Sequence, residues 1–324
     1  MDTTLTATRH DDPAAAASLA RLLDAELDYR PGARSGFISH LAMSLVAAAR
    51  LGATADELQR WYDAQTRGDF LIPRTRPDTL AADVERIEDQ GIEAEVRRRL
   101  PAVIVAPESQ FFHAPIRLEL AIDAGHAGQV ANALENWEAH HTPLPERPDG
   151  DGDRRITEVV RRVLGRPSAA SAADLDVHGV AAEPWFTAEM ARLQVDDQTL
   201  DELAALAAAS HTAPRHFGTL HLVTGMRSLR ALASYLEPAD HRELSLRAAQ
   251  AVAAAMLSFG VSLPSDEQTS DRRAGAPTDW SGIARAALDS GDPHVVKLVY
   301  ATMLEEQVTG DPLYRAIAAS QVGR

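Results

Sequence analysis

The sequence predicts an all-α fold, and three observations carry this prediction. Ala and Leu dominate the composition, and both favour helices. Apolar residues recur at spacings of three and four along most long segments, which is the period of an amphipathic helix. Clusters of β-branched residues, which would favour strands, are scarce. We therefore predict a single large multi-helix domain.

The helical period marks segments along the whole chain, and capping signals support two of them. Thr54 and Glu57 have the spacing of a capping box, as do Thr199 and Glu202. The predicted helices are Ala14–Leu27, Ile38–Arg50, Ala55–Ala64, Leu80–Glu88, Ile92–Leu100, Ser109–Ala124, Ala127–His140, Ile156–Leu164, Trp185–Leu193, Leu200–Ala209, His216–Leu236, His241–Phe259, Trp280–Leu288, Pro293–Glu306 and Leu313–Gln321.

The segments outside these helices are predicted to be connectors and loops. Ala102–Ala106 reads AVIVA, but prolines flank it on both sides, so we expect an extended connector rather than a strand. Residues 142–153 and 261–278 are rich in turn-forming and polar residues, and we expect flexible loops there. Residues 142–153 could separate two halves, but the candidate ligands described below lie on both sides of this segment, so residues 1–324 are assigned to one domain. No fixed-period repeat is visible, so a solenoid would have to be a degenerate one.

The charge balance and the lack of cysteine exclude several classes of function. The chain has 32 basic and 47 acidic residues, a net charge of −15, whereas nucleic acids and anionic membranes select clustered cations. We therefore expect neither as a partner. The absence of cysteine excludes thiol nucleophiles, disulfides and iron–sulfur clusters. No apolar window reaches about 20 residues and no signal-peptide pattern opens the chain, so we expect a cytoplasmic protein.

The common catalytic signatures are also absent. The sequence has no G-x-G-x-x-G after a strand, no Walker A motif, no G-x-S-x-G and no H-E-x-x-H. A single E-x-x-H, Glu138 to His141, would place a carboxylate and an imidazole on one helix face, but di-iron bundles use this motif twice. A di-iron helical-bundle oxidase using Glu138 and His141 remains an alternative, as does a non-catalytic helical interaction protein.

Lys297 is the only lysine among the 32 basic residues, and it lies in an apolar setting. A buried amine is costly unless it is neutral or bound. Asp292 and Pro293 form a helix start, which places His294 and Lys297 at positions i and i+3 on one face. The two side chains are either a hydrogen-bonded histidine beside a snorkelling lysine or a pair of metal ligands.

Four sequence blocks, taken in order, carry a family resemblance. The blocks are Ser39-His40 with Leu51-Gly52-Ala53, Phe112-His113-Ala114-Pro115-Ile116, Leu220-His221-Leu222-Val223-Thr224-Gly225, and Asp292-Pro293-His294-Val295-Val296-Lys297-Leu298. They resemble the N-H…L-G-A, F-H-P-x-I, L-H-x-V-T-G and D-x-H-x-x-K-L motifs of the questin oxidase-like family, whose members are non-heme iron oxygenases associated with anthraquinone ring cleavage.

The resemblance implies a mononuclear iron(II) at the centre of the helical domain, held by four histidines and one lysine carboxylated on its amine. Carried onto this sequence, the ligands are His40, His113, His221 and His294, with Lys297 as the CO2-derived carbamate. Five protein ligands leave one position of a six-coordinate iron for O2, which suits an oxygenase.

The resemblance further implies that the enzyme oxidises or cleaves a ring of a polycyclic aromatic substrate, such as an anthraquinone or a hydroquinone, in secondary metabolism. It would act as a dioxygenase or as a Baeyer–Villiger-like monooxygenase. Because the chain has no dinucleotide fingerprint, NADPH would enter only through a partner reductase.

The sequence departs from the family pattern at several positions. Ser39 stands where Asn is usual, Met43 and Ser44 stand where extra histidines often follow, and Arg117 replaces a frequent second histidine of its block. These differences concern the substrate and the surroundings of the metal more than the four matched histidines.

Further residues are candidates for the substrate cavity. His216 precedes His221 by five residues and is a candidate catalytic acid or base, because imidazole titrates near neutral pH. The aromatic candidates for cavity walls are Phe111, Phe112, Trp137, Phe217 and Tyr300.

Overall fold

The structure is a computed structural model that describes residues 12–34, 36–68, 70–166, 176–211 and 216–323. Within these ranges the chain forms seventeen helices and one two-stranded sheet, so the all-α prediction is confirmed. Residues 1–11, on which much of the signal-peptide prediction rests, lie outside the described part. No helix in the described ranges is sufficiently long and apolar to cross a membrane.

The elements follow one another in this order: α1 (Pro13–Glu26), β1 (Tyr29–Ala33), α2 (Leu41–Arg50), α3 (Ala55–Thr66), β2 (Leu71–Pro73), α4 (Asp78–Gln90), α5 (Ile92–Val103), α6 (His113–Asp123), α7 (Ala127–His140), α8 (Ile156–Leu164), α9 (Val177–Ala181), α10 (Pro184–Met190), α11 (Thr199–Ser210), α12 (Phe217–Ala233), α13 (Pro238–Ser258), α14 (Asp266–Ala274), α15 (Trp280–Asp289), α16 (Pro293–Thr309) and α17 (Leu313–Val322). Every helix predicted from the apolar period is present, with ends that differ by a few residues.

One of the two predicted capping boxes forms. The Thr54 hydroxyl accepts the Glu57 amide, and the Glu57 carboxylate accepts the Thr54 amide, at the start of α3. The prediction at Thr199 was wrong, because α11 begins at Thr199 itself. The Thr199 hydroxyl instead accepts the Asp196 amide at 3.0 Å and thereby closes the preceding turn.

The second predicted loop, 261–278, contains helix α14, and the prediction of a loop throughout was therefore wrong. α14 has a capping box, in which Ser265 and Gln268 exchange side-chain to backbone hydrogen bonds. Acidic residues in its first turn and basic residues in its last turn suit the helix dipole. Only Thr269 of α14 is buried, so the apolar period used for prediction is missing there. Residues 142–153 lie outside helices, as expected.

The strand assignments also differ from the sequence prediction. Ala102 and Val103 belong to the end of α5, so the AVIVA run is not an extended connector. The two strands are β1 and β2, which pair antiparallel with Tyr29 opposite Pro73 and Ala33 opposite Leu71. β1 reads YRPGA, which contains Pro and Gly and lacks the β-branched residues that usually indicate a strand.

The chain divides into two compact units. The first unit comprises Met1–Val96, Ile116–Asn136 and Gly275–Arg324, and the second comprises Arg97–Pro115 and Trp137–Ala274. The prediction of a single domain over residues 1–324 stays a prediction.

The first unit is built on two nearly fully buried helices. α2 packs against α1, α3 and α16, and α16 also packs against α15 and α17. All residues from Leu41 to Ala48 are buried in α2, as are those from Val295 to Thr302 in α16. Helices that are apolar on every side belong in the interior of a domain. The described part of the first unit therefore has its core along α2 and α16.

The second unit has the same plan. α13 packs against α8, α9, α11 and α12, and α12 packs against α11. The stretch 248–255 of α13, mostly alanine, is fully buried, so small side chains let the neighbouring helices approach closely. Buried residues also occupy most of α12, from Gly218 to Met226.

Candidate metal centre

The structure places the five predicted ligands at the ends or first turns of buried helices. His40, His294 and Lys297 belong to the first unit, and His113 and His221 belong to the second. His40 directly precedes α2, His113 begins α6, and His221 lies in the second turn of α12. The ligand set as a whole stays a prediction, and the two groups are described separately below.

His40 is held by the short segment that follows β1. The Ala33 amide donates to the Phe37 carbonyl, and the Ser39 amide donates to the Pro31 carbonyl, both at 2.7 Å. The Ser39 hydroxyl accepts the first amide of α2, from Leu41, at 3.3 Å. These bonds tie the chain on both sides of His40, so its backbone is fixed before any ligand binds.

The imidazoles of His40 and His294 pack edge to face. Their ring centroids are 4.4 Å apart and their planes meet at 84°. Asp292 caps α16 through the His294 amide at 2.9 Å, and the same carboxylate oxygen lies 3.3 Å from His294 Nδ1. The hydrogen bond to His294 holds the pKa of Asp292 at about 2, well below its usual value.

The D-x-H spacing therefore has a physical role. One carboxylate both starts the helix and orients the imidazole two residues later, which fixes Nδ1 as the donor and leaves Nε2 as the acceptor. The His294 Nε2 atom is buried. A carboxylate behind an imidazole is a common arrangement around metal-ligating histidines.

Lys297 lies one turn further along α16 and is only 2 % exposed. Its Nζ has no hydrogen-bond partner among the described residues. Burial and, to a smaller extent, the charge of Arg117 lower the pKa of Lys297 to about 7, and Asp292 opposes both effects. Near neutral pH a large share of this side chain is therefore a neutral amine, which is nucleophilic.

Arg117 belongs to a buried polar network in the first unit. Its Nη2 donates to the Ser39 carbonyl at 2.7 Å, and its Nη1 lies 3.5 Å from Glu26 Oε1. The side-chain Nε2 of Gln129 donates to Glu26 Oε2 at 2.9 Å. Burial raises the pKa of Glu26, while Arg117 and Gln129 act in the opposite direction. Arg117 therefore supports the backbone beside His40.

His113 and His221 face each other in the second unit, with their Nε2 atoms 3.1 Å apart. His113 Nδ1 lies 2.6 Å from the Gln110 carbonyl, and His221 Nδ1 lies 2.7 Å from the Phe217 carbonyl. A carbonyl oxygen only accepts hydrogen bonds, so each Nδ1 carries a proton.

This tautomer determines what the pair can bind. In two neutral rings with Nδ1 protonated, both Nε2 atoms present lone pairs, which repel at 3.1 Å. The arrangement requires a cation, either a proton shared by the rings or a metal ion bound by both. The separation suits two ligands of one ion, each about 2.1 Å from it.

The turn before His113 has an uncommon backbone. Gln110, Phe111 and Phe112 have φ angles of 53°, 62° and 64°, in the left-handed region that side chains usually avoid. Each such residue costs about 1–2 kcal/mol. Phe112 is buried, and Phe111 contacts the Phe217, His221 and Phe259 rings at centroid distances of 5.4, 5.3 and 4.8 Å. This packing holds the strained turn.

Other candidate residues have structural partners. His216 caps α12, where its Nδ1 accepts the Thr219 amide at 3.2 Å, and its catalytic role stays a prediction. The Trp137 indole donates to the Ala106 carbonyl, and the Tyr300 hydroxyl donates to Asp123. Both rings are buried, and their place in a substrate cavity stays a prediction.

The single E-x-x-H motif of the di-iron alternative, Glu138 to His141, has other partners in the structure. The Glu138 carboxylate forms two hydrogen bonds with the Arg99 guanidinium, one of them at 2.7 Å, and His141 Nδ1 lies 2.7 Å from the Glu138 carbonyl. The carboxylate is therefore engaged by a cationic side chain of the second unit.

Sequence reasoning missed two features of these sites. Asp292 was predicted only as a helix cap, although D-x-H could have indicated a bond to the imidazole. Glu108 was not selected, yet it is a buried carboxylate directly after the apolar stretch Ala102–Pro107.

Comparisons with known proteins identify no family for this chain. No protein-family model matches this chain, and no curated protein matches its sequence.

Proposed function

We propose that this protein is a mononuclear non-heme iron oxygenase that uses O2 to oxidise or cleave a ring of a polycyclic aromatic substrate. The observation that carries the proposal is the pairing of His113 and His221, with facing Nε2 atoms and with each Nδ1 bound to a carbonyl. Metal-ligating imidazoles typically have their second nitrogen held in this way. The resemblance of the four sequence blocks supplies the choice of iron and of substrate class.

The proposed ligands are His40, His113, His221, His294 and a carboxylated Lys297. In the carboxylation the amine of Lys297 attacks CO2, an N–C bond forms, and one proton leaves to solvent. The product has anionic oxygen donors, which an ammonium group lacks. The buried Nζ without a partner supports this modification, because carboxylation converts an uncompensated amine into a group that a cation stabilises.

The donor set fits iron(II), for which imidazole nitrogens and anionic oxygens are suitable ligands. When bound, the metal would supply the redox chemistry with O2 that protein side chains lack. The chain itself orients the ligands. Asp292 holds the Nδ1 atom of His294, and backbone carbonyls hold those of His113 and His221. Electrons from NADPH would reach the substrate through a separate reductase.

Metal analysis of protein purified without oxygen tests the metal centre. We expect about one iron per chain, and we expect His221→Ala to lose it. His241→Ala is the matched control, since His241 lies half-buried at the start of α13 in the same unit, and it should retain the iron. Two metals per chain would favour the di-iron alternative, and absence of metal would favour an interaction protein.

An isotope experiment tests the reaction. The iron-loaded protein is supplied with anthrahydroquinone, a polycyclic hydroquinone, under 18O2, and the products are examined by mass spectrometry. We expect a ring-oxidised or ring-opened product that carries 18O and forms only with active protein. Equal product formation by His221→Ala would reject the oxygenase.

A further inference from the structure

The second unit contains a cavity of about 310 Å³ that no part of the proposed metal centre uses. Its walls include Phe111, Phe112 and Phe259 on the apolar side and Glu108, Ser109 and His178 on the polar side. We call it the Glu108 cavity. Its size suits a small aromatic molecule rather than an ion alone.

Glu108 is the unusual member of this wall. Its side chain is buried, with the residue only 6 % exposed, and neither carboxylate oxygen accepts a hydrogen bond from another described residue. The nearest basic atom recorded beside it, His178 Nε2, is 3.8 Å away, beyond hydrogen-bond distance. The hydroxyl of Ser109 is likewise buried without a partner in the described ranges. Both residues line the cavity, and their buried polar atoms have unused hydrogen-bonding capacity, which is costly in a ligand-free protein.

The aromatic wall connects this cavity to the histidine pair. Phe111 lines the cavity, and the same ring contacts the His221 ring at 5.3 Å between centroids. Phe112 also lines it, and the next residue along the chain is His113. The strained left-handed turn therefore presents two rings to the cavity and delivers His113 to His221. A molecule in the Glu108 cavity would lie one aromatic ring away from His221.

The side chains that line the Glu108 cavity indicate which kind of molecule would bind there. Stacked and tilted phenylalanine rings favour a planar aromatic ligand. Buried carboxylate oxygens require a hydrogen-bond donor.

We propose that the Glu108 cavity binds a planar hydroxylated aromatic molecule, with the Glu108 carboxylate accepting the hydrogen bond of its hydroxyl group. This inference deepens the proposed function, on which it rests for the identification of the ligand as a substrate. It defines the substrate as a phenol or hydroquinone rather than an unsubstituted ring system. Glu108 is then a substrate-binding residue that orients the hydroxyl-bearing ring toward the His113 and His221 side.

A pair of matched probes tests the inference. 2-Naphthol has a hydroxyl donor, and 2-methoxynaphthalene has the same rings without one. Their affinities for the full-length protein are measured by titration calorimetry at pH 8, above the pKa of about 7 to which burial raises Glu108, and the iron content of the same sample is recorded. We expect 2-naphthol to bind about tenfold more tightly, the contribution of one hydrogen bond to a charged group.

Variants assign the preference to the carboxylate. Glu108→Leu should bind both probes equally, and Glu108→Gln should show a reduced preference. Glu237→Gln, at an exposed glutamate of the same unit, should behave like the original protein. Circular dichroism verifies that each variant is folded.

The outcomes separate this inference from the metal centre. Binding of neither probe, equal binding of both, or an unchanged preference in Glu108→Leu would overturn it, whatever the iron content. A hydroxyl preference lost in Glu108→Leu would uphold it even in a sample without iron, in which case only the proposed function fails.

Discussion

Phe112 packs directly against Gly225 of α12, where an added Cβ would lie 2.8 Å from the Phe112 Cβ atom. Real side chains do not approach so closely, so this contact requires glycine. His113 follows Phe112, and His221 lies one helical turn before Gly225. The close approach of the two segments therefore sets the 3.1 Å separation between the imidazoles. The glycine of the L-H-x-V-T-G block thus packs against the phenylalanine of the F-H block.

We expect Gly225→Ala to destabilise the protein, although alanine favours helices. The added methyl group must displace Phe112, and overpacking of this kind typically costs about 1–3 kcal/mol. Urea unfolding measures the change, and iron retention should fall in parallel. Gly32→Ala is the control, because a Cβ at Gly32 meets no atom within 4 Å. A Gly225→Ala protein as stable as the original would contradict the argument.

Asp292→Asn should separate the two roles of Asp292. Asparagine caps a helix about as well as aspartate, so the thermal midpoint should change little. The imidazole of His294 loses its anionic partner, and iron affinity should fall about 10–100-fold. Asp279→Asn is the control, because Asp279 caps α15 in the same manner without contacting a candidate ligand. Equal iron affinities of the two variants would refute this role of Asp292.

Removal of the Lys297 amine should weaken metal binding, and the space left behind should decide whether a small carboxylate restores it. Lys297→Ala should lose at least about tenfold in iron affinity and recover part of it in acetate or propionate, since even outer-ligand changes cost about 10–100-fold. Lys297→Met fills the space and should not recover. Iron titrations in buffers with and without bicarbonate measure the CO2 requirement of the original protein. Full affinity of Lys297→Met would exclude the carbamate.

We expect the stability of the fold to depend on Arg117 and Glu26 being present together. Their side chains are 1 % and 0 % exposed, so Arg117→Met leaves a buried carboxyl uncompensated, at a cost of about 3–5 kcal/mol. Glu26→Gln together with Arg117→Met should restore part of the stability. Breaking the exposed pair of Arg76 and Asp28 should cost less than about 1 kcal/mol. Denaturant unfolding of these variants decides whether the buried pair and the exposed pair differ as expected.

Glu108 should make the fold less stable as the pH rises. Burial raises the pKa of Glu108 from 4.5 to about 7. The folded state therefore holds this proton where the unfolded chain has released it, and stability falls between about pH 4.5 and 7. The full effect corresponds to about 3 kcal/mol. Urea unfolding at pH 5 and pH 8 should show that Glu108→Gln lacks this part of the decrease, while Glu237→Gln retains it. The same pH dependence in Glu108→Gln would assign it to another group.

Local patterns were sufficient for the helices but not for the polar or irregular segments. The long apolar runs of α2, α12, α13 and α16 located these helices, because each helix buries most of its surface. The apolar period did not locate α14, whose helix depends on a capping box and on charges rather than on burial. It also missed β1, because a strand of five residues containing Pro and Gly is stabilised by its partner β2 and not by its own composition.

The amino-acid sequence by itself determined the all-α class, the helix that places His294 beside Lys297, and the burial of the only lysine, since these depend on neighbours within a few residues. Tertiary structure decided the rest. The facing of His113 and His221, the support of Ser39 by Arg117, and the unpartnered carboxylate of Glu108 join residues far apart in the chain or depend on what covers them. Such contacts form only when the folded chain packs distant helices together, so the pattern of neighbouring residues does not reveal them.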